Sequence, residues 1–260
     1  MTDNDGNLSF WEHLDDLRTL IITIIIPIVL LDLIAFCFKQ TLFHIVLAPA
    51  NADFITYRFF NQIAAITGAQ GADFNVQLIN TGLARQFILH MKTAICAGVL
   101  CASPYILYQA VRFLSPPLYP NERHYLLHVA GAAYLMFPLG GVLSFFLLFP
   151  LTFRFLGTYH VSATVVNMIS LDSYMATLIT MSFALAILFE MPVMAWLFDK
   201  LNLITADFMR RYQKHAVVII LSLAAIITPS SHIFTMLIVA APMGLLYEAS
   251  ILILRLSSPK

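Results

Sequence analysis

Two apolar runs near the middle of the chain, 87–111 and 125–149, are separated by Ser115-Pro116-Pro117-Leu118-Tyr119-Pro120-Asn121-Glu122-Arg123-His124. Each run has the length of a membrane span, about 20 residues for roughly 30 Å of hydrocarbon. Three prolines in five residues cannot continue a helix, so the chain must break between the runs. That pattern admits one broad solution, helices crossing a bilayer with a stiff polar connection between them.

The rest of the chain agrees. Of 260 residues, 60% are apolar and only 11% charged, against roughly a quarter charged in soluble domains. Further apolar runs cover 20–38, 173–198, 216–227 and 233–254. The expected fold is therefore all-α, a single membrane domain over 1–260 with six transmembrane helices. The first residues, Met1 to Asn7, are polar and acidic rather than basic. No cleavable signal peptide is expected, and the first run should remain as a span. Residues 39–86 are too long for a turn and too mixed for a span. An extramembrane loop with short helices is expected there, and a second outer connection over 151–172. The fifth run has only twelve residues, about 18 Å as a helix, so a short closing hairpin that thins the bilayer is expected.

Lysine and arginine orient the bundle. Arg18; Arg112 and Arg123; Lys200, Arg210, Arg211 and Lys214; and Arg255 and Lys260 fall on one side. Lys39, Arg58, Arg85 and Arg154 fall on the other, spread over long segments. Both termini and the Pro-rich loop thus face the cytoplasm. A zero net charge gives no reason to expect a nucleic-acid partner. Cys37, Cys96 and Cys101 all sit in apolar runs and read as small buried hydrophobes, with neither disulfide framework nor metal spacing.

Ser9-Phe10-Trp11-Glu12 has the capping-box spacing, so an amphipathic helix should start there. Its polar side carries Glu12, His13, Asp15, Asp16 and Arg18. Glu122 opens the third span on the same side of the membrane. Two separated carboxylates on one face suit a pair of guanidinium groups, because arginine bonds carboxylates bidentately. Glu190 lies inside the fourth span, about 15 Å from Lys200. A carboxyl at that depth is protonated, paired or wet, and such residues usually carry function. Asp32 lies within two turns of Lys39 and is expected to reach the outer interface. There is no His-Glu-x-x-His, Gly-x-Ser-x-Gly or Walker pattern, so neither catalysis nor a cofactor is expected.

Six short motifs occur in order. They are His13-Leu14-Asp15-Asp16-Leu17-Arg18; Pro104-Tyr105-Ile106-Leu107-Tyr108-Gln109 with Phe113-Leu114-Ser115-Pro116; Leu118-Tyr119-Pro120-Asn121-Glu122-Arg123; Phe145-Phe146-Leu147-Leu148-Phe149-Pro150; Phe189-Glu190-Met191-Pro192; and Thr228-Pro229 with Ala241-Pro242 and Leu246-Tyr247-Glu248. Together they resemble the TatC family, the multi-spanning receptor subunit of the twin-arginine protein translocase. The resemblance implies a cupped six-helix bundle in the bacterial inner membrane. It implies a receptor for twin-arginine signal peptides of folded proteins, exported on the proton-motive force with single-span TatA/TatB-type partners. Self-association is also expected.

By that resemblance Glu122 and Asp16 hold the arginine pair, with Asp15, Arg123 and Phe113 at the site. Glu190 then faces the concave, water-accessible side of the bundle. The chain departs from the family pattern in having Asp16 for its glutamate, with Asp15 alongside, and His124 where arginine is common. Ser230, Ser231 and His232 stand where the family has an aspartate. The alternative reading is a proton-coupled small-solute transporter with Glu190 as its ionisable site. It lacks an evident midplane partner for that residue.

Overall fold

A computed structural model describes residues 10–66, 77–114, 120–159, 168–201, 203–228 and 232–257. Ser9, the loop 115–119 and the turn 229–231 lie outside them. Helix α1 covers Phe10–Cys37 and α4 covers Arg85–Leu114. They pack against each other along their lengths as an antiparallel pair. Helix α5 covers Pro120–Leu143, passes through a π-helical turn at Ser144–Leu148, and continues as α6, Phe149–Thr158. Helices α7, Leu171–Phe189, and α8, Met191–Lys200, make one span broken at Glu190. A short α9, Ala206–Arg211, leads into α10, Gln213–Ile227, and α11 covers Ile233–Ser257.

Among the described residues five helical stretches are long and apolar enough to cross a membrane, and α10 is a further, shorter apolar helix. No residue in the apolar window of α1 is buried. Many of its isoleucines and leucines are exposed, since α1 has protein on one side alone, and that outer surface suits lipid. The main core instead joins α6, α7, α10 and α11 around Phe149, Tyr174, Met175, Ala224 and Met243, with Met136 and Leu143 of α5 packed against it. Shortness is confined to the fifth span. At 15 residues α10 is about 22 Å long, whereas the 25 residues of α11 reach about 37 Å.

The outer connections are built rather than loose. Helix α2, Lys39–Val46, a 3-10 turn at Ala48–Ala50 and α3, Ile55–Ile66, follow α1. Strand β1, Leu78–Ile79, pairs in parallel with β2, Ile169–Ser170, tying the two outer connections together. The sequence places the end of the third span at Phe149, but the helix runs nine residues further, to Thr158. Helix α3 meets the chain at this point. Pro150 has no N–H to offer the carbonyl of Phe146 one turn back. The hydroxyl of Thr56 donates to that carbonyl instead. Tyr57 next to it shares its hydroxyl between the carbonyls of Pro49, at 2.9 Å, and Pro150, at 3.2 Å. Burial pushes the Tyr57 phenol up, and the nearby Arg154 guanidinium opposes that rise.

The cysteines also depart from expectation. Cys37 and Cys101 are exposed and Cys96 is half-buried. An apolar run in a bilayer has no need to turn its small hydrophobes inward. Between α1, α2, α4, α5 and α7 the bundle is cupped around an apolar cavity of about 560 Å³ in its outer half.

Candidate functional site at the cytoplasmic end

Asp15 and Asp16 lie in the second turn of α1, and both are exposed. Adjacent helical residues point about 100° apart, so the two carboxylates do not share one direction. Phe113 is half-buried in the last turn of α4. Because α1 and α4 are antiparallel neighbours, the start of one and the end of the other share the cytoplasmic end of the bundle. Helix α5 begins six residues after Leu114, at Pro120. Proline suits a first helical position, where its missing N–H would be unpaired anyway. Glu122 and Arg123 fall in that first turn, and their side chains lie outside the described residues. The helix N-terminus favours an acid at position 122. The fold therefore brings the helices that carry Asp15, Asp16, Phe113 and Glu122 to one end.

Glu190 is elsewhere. It caps α7 and opens α8, ten residues or about 15 Å from Lys200. Its N–H reaches Ile187 and its carbonyl accepts from Met194. Pro192 lacks the N–H that would reach Leu188, which explains the break. The Glu190 Oε1 is buried and has no hydrogen-bond partner among the described residues. Helix α5 touches α7 just outside this break. A Cβ on Gly140 would stand 2.7 Å from the Leu185 carbonyl oxygen and 2.8 Å from the Ala186 Cα. Glu190 does not line the apolar cavity, which is bounded by residues such as Ala35, Cys96, Gly141, Phe145 and Ser182. The apolar cavity and the intramembrane acid are therefore separate features.

Two further polar residues sit where sequence reasoning did not put them. Asp32 does not simply reach outward, because its Oδ1 is buried against Gly98 of α4 without a partner among the described residues. A Cβ at Gly98 would lie 1.8 Å from that oxygen, so only glycine allows the approach. His90 is buried and stacks on Phe36 with ring centres 4.2 Å apart. The i, i+4 spacing along α1 gave no hint of either contact, since both depend on the register of α1 against α4. No group of three or more potential metal ligands occurs among the described residues.

Comparison with known proteins bears on this arrangement. The family model described as Sec-independent protein translocase protein (TatC) matches residues 12–242. The Sec-independent protein translocase protein TatC of Blattabacterium sp. subsp. Periplaneta americana is 30% identical over 97% of this chain and 97% of its own length. That of Koribacter versatilis is 31% identical over 97% of this chain and 87% of its own. A crystal structure of the twin arginine translocase receptor TatC in DDM superposes with a TM-score of 0.76. It shares 29% identity and covers 94% of this chain and 99% of that one.

Proposed function

This chain belongs to the TatC family and is a component of the Sec-independent twin-arginine translocase, and we propose that Asp16 and Glu122 are the two halves of its clamp for paired arginines. It is a multi-pass protein of the bacterial cytoplasmic membrane with six spans and both termini on the cytoplasmic side. The observation that supports the clamp is the shared cytoplasmic end of α1, α4 and α5. A signal peptide arriving there meets one carboxylate from α1 and one from the first turn of α5. Two bidentate guanidinium–carboxylate pairs read both charge and planar shape, which a lysine pair cannot reproduce.

In this reading Asp15 supplies a second charge beside Asp16, Arg123 repels a misplaced guanidinium, and Phe113 offers an apolar wall. The bound peptide is passed on with single-span partners of the TatA and TatB type, and the chain catalyses no reaction itself. Glu190 acts after recognition, in partner assembly or translocation, because it is about 15 Å from the cytoplasmic end.

The test is direct binding of a fluorescent twin-arginine peptide to the purified protein. Glu122→Ala and Asp16→Ala are each expected to weaken binding about tenfold or more, the scale of losing charged hydrogen bonds. Undiminished binding by both variants would overturn the clamp.

A further inference from the structure

The cytoplasmic ends of the last spans do not agree on where the membrane stops. The ends of α8 and α11 are level, since Trp196 Nε1 donates to Ser257 Oγ at 2.8 Å and Lys200 Nζ donates to the Ser257 carbonyl at 2.9 Å. Helices α9 and α10 meet α11 much deeper. Tyr247 donates its hydroxyl to the Met209 carbonyl at 2.7 Å, and the Gln213 amide donates to Glu248. Glu248 is nine residues before Ser257, about 14 Å along the helix. Arg210, Arg211 and Lys214 occupy that deeper level, and all three are exposed.

Apolar surface continues on the cytoplasmic side of these cations. Leu203 is 68% exposed and Leu256 of α11 is 80% exposed, and Phe208 is exposed as well. On the outer side, Val217 and Val218 are exposed one turn above Lys214. The three charges thus lie between exposed apolar residues. Phe208 and Tyr212 lie beside them with ring centres 4.7 Å apart and ring planes tilted by 44°, and tyrosine is a residue of the headgroup belt. The acids nearby are Asp207, in the first turn of α9, and Glu248, which already accepts from Gln213. Neither pairs with the three cations among the described residues. Arg210 and Arg211 close α9 and Lys214 stands in the first turn of α10, so three like charges fall within five residues. At the edge of a low-dielectric layer such a cluster calls for an anion.

We propose that Arg210, Arg211 and Lys214 bind the phosphate of an anionic phospholipid of the cytoplasmic leaflet. The headgroup sits on the three cations and the acyl chains lie on the exposed valines of α10. The exposed apolar residues on both sides favour a lipid over a free phosphate ion. Binding at this level also suits α10, which at about 22 Å needs the bilayer to be thin beside it. The site lies on helices other than those of the carboxylate clamp, so it stands whatever the clamp binds.

Native mass spectrometry of the purified protein, with phosphatidylglycerol or phosphatidylcholine added to neutral detergent, reads the site. Wild type is expected to retain phosphatidylglycerol at least fivefold better than phosphatidylcholine. The triple variant Arg210→Gln, Arg211→Gln, Lys214→Gln should lose that preference while keeping its phosphatidylcholine adducts. The charge-preserving pair Arg210→Lys, Arg211→Lys should keep most of it, which separates loss of charge from misfolding. Equal preference in the triple variant overturns the proposal. So does displacement of phosphatidylglycerol by millimolar inorganic phosphate, which would mark a general anion site.

Discussion

Thr56 donates its hydroxyl to the backbone carbonyl of Phe146, which lies 90 residues further along the chain. That carbonyl is the one Pro150 leaves without its usual helical donor. The outer connection after the first span thus repairs a proline break in the third. The helix runs on past this point to Thr158.

Thr56→Val should therefore destabilise the protein by about 0.5–1.5 kcal/mol, the net worth of a typical hydrogen bond. Thermal unfolding in detergent reads the loss. Pro150→Ala in the same background restores a backbone donor and should recover most of it. Additive losses in the double variant would show that the hydroxyl does not act on this carbonyl.

Tyr57 and Asp172 contrast a buried bond with an exposed one. Tyr57 is 1% exposed and its hydroxyl is shared by two carbonyls. Tyr57→Phe is expected to cost about 1–3 kcal/mol. Arg85 and Asp172 form an ion pair at 2.8 Å, but both side chains are substantially exposed. Asp172→Asn should change stability by less than about 1 kcal/mol, and less again in high salt. Comparable losses for the two variants would contradict this ranking.

Gly140→Ala places a methyl group 2.7 Å from the Leu185 carbonyl oxygen, and the obstacle is backbone that cannot rotate away. Helix α5 must then move off α7 next to the break at Glu190. A loss of about 1–3 kcal/mol is expected from such overpacking. Gly141→Ala, where a Cβ meets nothing within 4 Å, is the matched control and should be close to neutral.

Asp16→Glu adds the methylene that the family pattern carries at this position. Peptide affinity should hold or rise, whereas Asp15→Asn should change it much less than Asp16→Asn. Titration with the labelled twin-arginine peptide separates the two aspartates. The reverse order would move the α1 half of the clamp to Asp15.

Glu190→Gln keeps size and hydrogen-bonding capacity but removes the ionisable group. Peptide binding should be unchanged, while export of a folded reporter in cells should fall several-fold. Normal export by this variant would make the carboxyl a packing group.

Much of this protein is legible in its sequence for a simple reason. A bilayer demands apolar runs of set length and tolerates few charges within them. The spans, the orientation and the break at 115–119 follow from that demand, and so does the cytoplasmic placement of Asp16 and Glu122. Glu190 is equally visible, because a carboxyl in an apolar run is expensive wherever the helices go. Register between helices has no comparable signature. The Gly98 notch that receives Asp32, the stacking of His90 on Phe36 and the bond from Thr56 to Phe146 join residues at least 54 positions apart. The depth of Arg210, Arg211 and Lys214 belongs with them. It is set by Gln213 meeting Glu248, and a charge count over a loop carries no depth. The sequence by itself determined which segments enter the membrane and which way they point, since each segment meets the lipid on its own terms. Only tertiary structure decided how far each helix slides along its neighbour, since that depends on pairs of surfaces fitting and on buried polar groups finding donors.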